Sequence, residues 1–457
     1  MTLFILIGIL AGSDGIGKIY FDDYQKAQSI GVVALCYILF MGGLSVDFNE
    51  IKPVITKGTI LATVGVALTA VITGGMSYFF LDLPLSESML LGAIVSSTDA
   101  AAVFSVLRSK DISLKGDLKP LLEFESGAND PMAVLMTVAL ISFISSSTTN
   151  FVDLGVIFTK QMVLGLGFGV AIGLGAVKLI NRIRFEYSGL YVVLSLAIVT
   201  LAYSLPAILG GSGFASVYIC ALVMAKSKFI YKRMLTKFHD GIAWFCQVLM
   251  FVILGLLAFI KEVANVWSEG LIVAAILMFV ARPIAVAISL MPFKAKLNEI
   301  ILISWVGLRG AAPIVLATFP LIANVNGSHE IFNIVFFVVL ISVFLQGTTI
   351  PLIAKLLKLD APFENELNSP FEFDDIETDK KLVKLQVMPN SQSVNKEIRE
   401  IKLPKDTIIT MYRRDDSYQI PSGTTVIQAC DILYIMSKKE HECSLKEIFE
   451  KGCKKQN

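Results

Sequence analysis

The chain has 457 residues, of which 55% are hydrophobic and only 17% are charged, and its mean hydropathy is +0.71. A soluble domain carries about 25% charged residues, so this composition excludes an ordinary soluble protein. A net charge of +1 gives no indication of a nucleic-acid partner. The six cysteines show no CxxC spacing and there are only three histidines, so the sequence predicts no resident metal and no other cofactor.

Apolar segments fill residues 1–358, which predicts an all-α polytopic membrane domain over that range. The first segment is about eleven residues long, whereas a spanning helix needs about 20. We therefore expect the chain to begin part-way into a membrane helix. The sequence gives twelve candidate segments, near 2–12, 27–46, 58–81, 86–107, 119–145, 154–177, 187–208, 212–226, 238–260, 267–291, 298–318 and 330–354.

Basic residues alternate between successive loops, with sixteen on one side of the predicted membrane and four on the other. Cytoplasmic loops carry an excess of Lys and Arg, so this bias predicts a cytoplasmic N-terminus and a cytoplasmic C-terminal region. The richer side holds Lys52, Lys57, Arg108, Lys110, Lys115, Lys119, Lys178, Arg182, Arg184, Lys226, Lys228, Lys232, Arg233, Lys237, Lys294 and Lys296.

The last hundred residues are polar and charged. Residues 359–379 are acidic and predict a flexible linker. Alternating stretches such as KLVKLQV, TIITMYRR and DILYIM predict strands, with a turn at 415–416, so we expect a small α/β or α+β cytoplasmic module at 380–440. Residues 441–457 are expected to form a tail.

Charged residues inside the apolar segments need a reason, because a charge at the bilayer centre costs at least about 2.5–3.5 kcal/mol. At a rise of about 1.5 Å per residue, Asp99, Asp130 and Arg309 each reach the middle of the membrane core. Glu125 and Arg282 are also intramembrane, and Arg282 is expected to be a structural anchor rather than a site residue.

Two of these charges lie in sequences that weaken a helix. Asp99 lies in SSTDAAAV (96–103), where Ser, Thr and Asp compete for backbone hydrogen bonds. Arg309 lies in WVGLRGAAP (305–313), which contains two glycines and a proline. Two interrupted helices at matching depth, one in each half of the chain, predict an inverted-repeat transporter.

Ser126, Asn129 and Asp130 occupy positions i, i+3 and i+4 of one segment and so share a helix face. Hard oxygen ligands of this kind suit small alkali cations. A buried carboxylate that holds either a cation or a proton, but not both, is by itself an antiport mechanism. Glu125 points elsewhere on the helix, and a structural ion pair with Arg309 is the favoured interpretation.

Three other classes of function stay open on these residues. A channel gated by the C-terminal module lacks a TVGYG-like carbonyl filter. A symporter for a small organic anion predicts more basic groups around the breaks than Arg309 alone. An ion-sensing receptor has no need for two broken helices. No enzymatic activity is expected.

ESGANDPMAV (125–134), preceded by STDAAAVFSVL (97–107), resembles the NhaP-type branch of bacterial monovalent cation/proton antiporters. YILFMGG (37–43) and GLRGAAPIV (307–315) are similar to two further family motifs, and the resemblance extends over essentially the whole chain. The residues of the STDAAAVF motif and the cytoplasmic tail most resemble the potassium/proton antiporters also called cell volume regulation proteins. This resemblance implies exchange of K⁺ for protons slightly ahead of Na⁺.

The resemblance implies a set of roles and partners. Asp130 is implied as the ion- and proton-binding aspartate, with Ser126 and the backbone of Thr98 completing the cation site. Asn129 before Asp130 goes with electroneutral exchange in this family. Asp99 is expected either to contact the ion through a water molecule or to compensate the ends of the broken helix. The family also implies a homodimer in the lipid of a bacterial inner membrane, an elevator-like movement of the ion-carrying bundle, and Glu125 and Arg309 as a structural pair.

The module resembles the TrkA-C (RCK-C) regulatory domain through LPKDTIITMYRRDDSYQIPSGTTVIQACDILYIM (403–436). Such domains bind regulatory ligands, in some bacterial relatives a cyclic dinucleotide, so a regulatory nucleotide is a candidate partner. The chain departs from the family pattern twice: relatives have thirteen spans, and Met41 stands where many of them carry an acid.

Overall fold

The structure is a computed structural model that describes residues 2–13, 15–21, 23–145, 151–257, 260–362, 380–389, 391, 393–414, 417–438 and 441–449. It consists of two compact units, Met1–Glu364 and Asn365–Asn457.

The first unit is built of helices, and every predicted apolar segment coincides with helix in the described residues. Their bounds are α1 (Thr2–Ala11), α2 (Tyr24–Leu44), α3 (Phe48–Ile51), α4 (Ile55–Ile60), α5 (Val66–Phe80), α6 (Leu85–Ile94), α7 (Ala100–Arg108), α8 (Leu118–Ser145), α9 (Phe151–Arg182), α10 (Gly189–Ile208), α11 (Gly213–Lys226), α12 (Lys232–Leu257), α13 (Ile260–Asn265), α14 (Trp267–Ile276), α15 (Arg282–Leu290), α16 (Leu297–Trp305), α17 (Ala312–Ile322) and α18 (Ser328–Leu356). Short π-helical stretches, Leu61–Gly65 and Leu277–Ala281, join α4 to α5 and α14 to α15.

Within the described residues, eight helices are long and apolar enough to cross a membrane, when the continuous segments Ile55–Phe80 and Trp267–Phe293 are each counted as one helix. Other predicted segments are shorter apolar helices, and two of the twelve are divided into half-helices: α6 with α7, and α16 with α17. These are the segments that contain Asp99 and Arg309. The prediction of a polytopic helical fold with two broken helices is therefore confirmed.

Small residues let α9 and α11 approach each other closely. Gly165, Gly169 and Gly173 recur every fourth residue on α9, and a Cβ at Gly169 would lie only 2.7 Å from the carbonyl oxygen of Ser216. Helices in membranes associate through such stripes, since lipid tails supply little hydrophobic driving force between helices.

A short strand pair also belongs to the first unit. Strand β1 (Ile112–Leu114) lies between α7 and α8 and pairs antiparallel with β2 (Asp360–Pro362), which follows α18. The expectation of a flexible linker from residue 359 onward is therefore wrong for 360–362, whose backbone pairs with β1. The rest of that linker, 363–379, lies outside the described residues.

The second unit contains a four-stranded antiparallel sheet in the order β3 (Lys380–Gln386), β6 (Ile432–Lys438), β4 (Ile408–Arg414), β5 (Ser417–Gln419). The three predicted strands correspond to β3, β4 and β6. The predicted turn at 415–416 lies outside the described residues.

Helix α19 (Glu442–Phe449) follows the sheet, and its Leu445 and Phe449 are fully buried in the same apolar core as Leu433 and Ile435. The expectation of a tail beginning at residue 441 is wrong for these residues, because the two apolar side chains complete the core of the sheet.

Candidate functional site

The first break separates α6 from α7 over residues 95–99. The hydroxyl of Ser96 donates to the carbonyl of Ala93 at 2.7 Å. The carboxylate of Asp99 accepts the backbone N–H of Ala102 at 3.0 Å and so caps the N-terminus of α7. Polar side chains thus replace the hydrogen bonds that a continuous helix would make.

The second break, residues 306–311, lies directly against the first. The backbone N–H of Asp99 donates to the carbonyl of Leu308 at 2.8 Å. A Cβ at Gly310 would lie 2.7 Å from Cβ of Asp99, so only glycine fits at this contact. Pro313 lies in the first turn of α17, where its missing N–H leaves no bond unmade. The two broken helices therefore cross at their non-helical segments.

Arg309 binds the backbone of the first break. Its guanidinium Nη1 donates to the carbonyl of Ser96 at 2.8 Å and to that of Ser97 at 2.5 Å, and the residue is fully buried. Its own backbone N–H donates to the hydroxyl of Ser342 on α18 at 3.0 Å. The C-terminal end of a helix carries partial negative charge, so the arginine compensates the open end of α6.

The expected ion pair between Glu125 and Arg309 is wrong. Oε1 of Glu125 lies 2.6 Å from Nη2 of Arg282, and both side chains are almost completely buried. Similar depth in the membrane is not sufficient for pairing, because the two side chains must also face each other around their helices. Arg282, expected to be a structural anchor, begins α15 and faces Glu125.

Ser126 and Asn129 of α8 hold Thr98 in the first break. The hydroxyl of Ser126 donates to the carbonyl of Thr98 at 2.8 Å and accepts the N–H of Ala100 at 2.9 Å. The amide of Asn129 donates to the hydroxyl of Thr98 at 2.5 Å and accepts the N–H of Thr98 at 3.4 Å. The residues that share one face of α8 thus meet the break at its non-helical backbone.

Asp130 faces the same break. Its Oδ1 accepts a hydrogen bond from the hydroxyl of Ser97. Asp130 and Asp99 are both only partly buried, and both line one cavity of about 650 Å³ together with Ser126. Glu123 and Asp240 line this cavity farther along, so carboxylates dominate its charge. The structure therefore brings the five candidates Asp130, Asn129, Ser126, Thr98 and Asp99 together, and separates Glu125 from them.

Gln247 on α12 is a site neighbour that sequence reasoning missed. Its amide Nε2 donates to Oδ2 of Asp99 at 3.0 Å, and the side chain is buried. The available signal was a single amide in the otherwise apolar stretch 241–257.

This architecture defines a class of membrane transporter, in which two interrupted helices cross beside an aspartate in a polar cavity. The chain belongs to the sodium/hydrogen exchanger family, whose transmembrane domain matches residues 1–356, and a TrkA-C domain matches residues 382–450.

Several relatives resemble this chain over most of its length. The K(+)/H(+) antiporter NhaP2 of Shewanella oneidensis is 36% identical over 99% of this chain and 79% of its own length. The K(+)/H(+) antiporter NhaP of Alkalimonas amylolytica is 33% identical over 96% of this chain and 76% of its own. The Na(+)/H(+) antiporter NhaH of Halobacillus aidingensis is 32% identical over 65% of this chain and 75% of its own.

A solved structure has a similar fold. The sodium proton antiporter MjNhaP1 from Methanocaldococcus jannaschii at pH 8 superposes with a TM-score of 0.69 at 24% identity, over 78% of this chain and 92% of its own. At that identity the likeness shows the shared fold alone.

Proposed function

We propose that this protein exchanges a monovalent metal cation for a proton, with K⁺ as the principal cation, and that both ions compete for Asp130. The observation that carries the proposal is the carboxylate of Asp130, which faces a polar cavity at the crossing of two broken helices. The names of the two K(+)/H(+) antiporters, which align with nearly the whole chain, support the choice of cation.

The residues around Asp130 supply oxygen ligands. The hydroxyls of Ser97 and Ser126 and the carbonyl of Thr98 all take part in hydrogen bonds between the first break and α8, and oxygen ligands suit hard alkali cations. Asn129 orients Thr98, and Asp99 adds a second carboxylate to the cavity. A cation bound at Asp130 displaces its proton and a proton displaces the cation, so one carboxylate couples the two fluxes in one-for-one, electroneutral exchange.

The cavity gives this site a route to one side of the membrane. It extends from Asp130 past Glu123 and Asp240 to Arg108 at the end of α7. These outer residues lie near the loops that are rich in Lys and Arg, the side assigned to the cytoplasm by the positive-inside rule. The geometry thus supports a form of the transporter that is open to the cytoplasm, with carboxylates along the entry route that favour cations.

The proposed organisation follows from the same assignment. Residues 1–362 form the antiporter domain, including the β1–β2 pair, 363–379 the linker and 380–440 the core of the TrkA-C domain, with α19 packed on it. We place the protein in a bacterial inner membrane as a homodimer, with both termini of this chain cytoplasmic. A regulatory nucleotide is the proposed ligand of the TrkA-C domain.

Na⁺/H⁺ exchange is the second candidate. The Na(+)/H(+) antiporter NhaH of Halobacillus aidingensis is 32% identical to this chain over 312 residues, which is nearly as similar, over a shorter stretch, as the potassium antiporters. The oxygen ligands at the site are compatible with either cation, so the two candidates are separated by transport alone.

The experiment is exchange by the purified protein in proteoliposomes that contain a pH-sensitive dye. The account predicts dye dequenching on addition of K⁺, a smaller response to Na⁺, loss of both in Asp130→Asn, and no dependence on a clamped membrane potential. Larger responses to Na⁺ would select the second candidate. A current carried by the cation without proton movement would contradict antiport and indicate a channel.

A further inference from the structure

The strand pair β1–β2, residues 112–114 with 360–362, is here called the β clasp. Its two strands come from very different parts of the chain. Strand β1 is the short connection between α7, which begins at the first break, and α8, which carries Asp130. Strand β2 begins four residues after the end of α18 at Leu356 and precedes the segment that leads to the TrkA-C domain.

The clasp is anchored in the core of the first unit. Ile112 and Leu114 of β1 are each 6% exposed and belong to its hydrophobic core. The backbone N–H of Lys115 donates to the carbonyl of Leu359 at 2.9 Å, and its Nζ donates to the carbonyl of Lys358 at 3.0 Å. Backbone and side-chain hydrogen bonds therefore join the α7–α8 connection to the residues that follow α18, and two apolar side chains anchor this connection in the core.

The backbone that connects α18 to β2 is held in a fixed conformation. Lys358 adopts a left-handed φ of 59°, and the N–H of Leu359 donates back to the carbonyl of Ala354 at 3.0 Å. This is the hydrogen bond of a Schellman helix end, which fixes the direction in which the chain leaves the helix. A displacement of β2 is thereby a displacement of the end of α18.

Helix α18 in turn supports the second break. The hydroxyl of Ser342 accepts the N–H of Arg309 and donates to Oε1 of Gln346 at 2.5 Å. Nε2 of Gln346 donates to the carbonyl of Trp305, the last residue of α16, at 3.1 Å. Helix α18, which leads into the clasp, is therefore hydrogen-bonded to the second break, and β1 of the clasp follows α7, the helix that begins at the first break.

From this connectivity we infer that the β clasp attaches the TrkA-C domain's chain to the ion-carrying helices, so that the state of that domain changes the transport rate through β2. The inference rests on the proposed transport activity. The clasp is a permanent attachment within the bundle that holds Asp130, and it stays closed during transport.

Hydrogen-bonded and non-hydrogen-bonded residue pairs alternate along the two antiparallel strands, so two neighbouring positions of β2 provide a test variant and its control. Because Lys115 and Leu359 form a hydrogen-bonded pair, the pair two residues along, Ser113 with Ala361, is also hydrogen-bonded, and the position between them, Asp360, is not. Ala361→Pro therefore removes a bond of the clasp, whereas Asp360→Pro places proline where no clasp bond is lost.

The test uses the full chain with a protease recognition sequence inserted within 363–379, cut in detergent or left intact before reconstitution. Cutting is expected to change the exchange rate of the parent and of Asp360→Pro by about fivefold, the lower end of typical coupling between sites. In Ala361→Pro the cut and uncut proteins are expected to transport equally. An equal response to cutting in all three proteins, or a response in none, would overturn the inference.

A second variant keeps the test decisive if Ala361→Pro does not fold. This variant carries Ser113→Cys and Ala361→Cys, and its Cys430, Cys443 and Cys453 are replaced by Ser. Residues 113 and 361 face each other as a hydrogen-bonded pair, and a disulfide can bridge the distance between such residues. The oxidised protein is expected to transport at the reduced protein's rate and to keep its response to cutting. A loss of transport that reductant restores would show that the clasp must open, against the inference. Failure of the proposed function is distinguishable, because the uncut parent would then show no cation-dependent dye response.

Discussion

Ser97 binds Arg309 and Asp130 at the same time. Its carbonyl accepts Nη1 of Arg309 at 2.5 Å, and its hydroxyl donates to the carboxylate of Asp130. The arginine of the second broken helix thus fixes the residue that presents a hydroxyl to the proposed ion site. Each broken helix also stabilises the other, because Arg309 binds the carbonyls that follow α6 and the carbonyl of Leu308 accepts the N–H of Asp99.

Arg309→Lys is expected to reduce exchange about tenfold or more while leaving the protein in the membrane. The planar guanidinium reaches two carbonyls from one nitrogen with further donors beside it, whereas an ammonium is a compact and more strongly hydrated charge. The measurement is the initial dequenching rate per reconstituted protein. Arg184→Lys, at an exposed loop position, is the control, and unchanged transport in Arg309→Lys would contradict the capping role.

Ser97→Ala is expected to weaken the apparent affinity for the cation about tenfold, since a hydrogen bond to a charged group contributes about 1.5–3 kcal/mol. Ser96→Ala is a matched control one residue away, because the hydroxyl of Ser96 donates to the backbone of Ala93 instead. The concentration of K⁺ at half-maximal exchange gives the comparison. Equal shifts in both variants would show that the hydroxyl contact with Asp130 has no specific role.

Gly310→Ala is expected to abolish exchange, because its new methyl group would overlap Asp99, whose Cβ and Cγ lie 2.7 and 2.9 Å from that position. The breaks would have to separate, which also strains the contact between Asp99 and Leu308. Gly167→Ala on α9 is the control, since a Cβ there meets nothing within 4 Å. Thermal unfolding of both variants in detergent distinguishes loss of function from loss of fold, and near-normal exchange in Gly310→Ala would contradict the tight crossing.

The buried pair Glu125–Arg282 is expected to behave as one structural unit. Removing one partner, as in Glu125→Gln, leaves an uncompensated buried charge and costs about 3–5 kcal/mol. The double variant Glu125→Leu with Arg282→Met is expected to recover much of the lost thermal stability. The same cycle with Arg309→Met in place of Arg282→Met is expected to be additive, and recovery in that cycle instead would restore the pairing with Arg309.

Much of the fold followed from local sequence. Lipid requires every backbone group to be satisfied within a helix, so apolar length alone located the segments. The breaks at Asp99 and Arg309 were predictable because Ser, Thr and Asp cluster at 96–99 and Gly and Pro at 307–313, and such clusters weaken a helix. Ser126, Asn129 and Asp130 were grouped correctly because helix periodicity places them on one face.

Contacts between residues that are distant in the sequence could not be predicted. The partner of Glu125 depends on how α8 and α15 are rotated towards each other, which depth in the membrane does not encode. Gln247 contacts Asp99 from α12, a helix distant in the sequence, and the separation of the two residues along the chain does not indicate that contact. The strand at 360–362 lies at the start of an acidic segment, and its composition did not predict it. A strand this short is stabilised by its pairing with another strand, which the local sequence does not indicate.

Competition of the two ions at Asp130 is tested most directly by cation binding to the purified protein in weakly buffered solution. The account predicts that each K⁺ bound releases one proton, that apparent affinity for K⁺ rises as pH rises because fewer protons compete, and that Asp130→Asn shows neither effect. Binding of K⁺ that releases no proton and does not depend on pH, or release that persists in Asp130→Asn, would contradict the account.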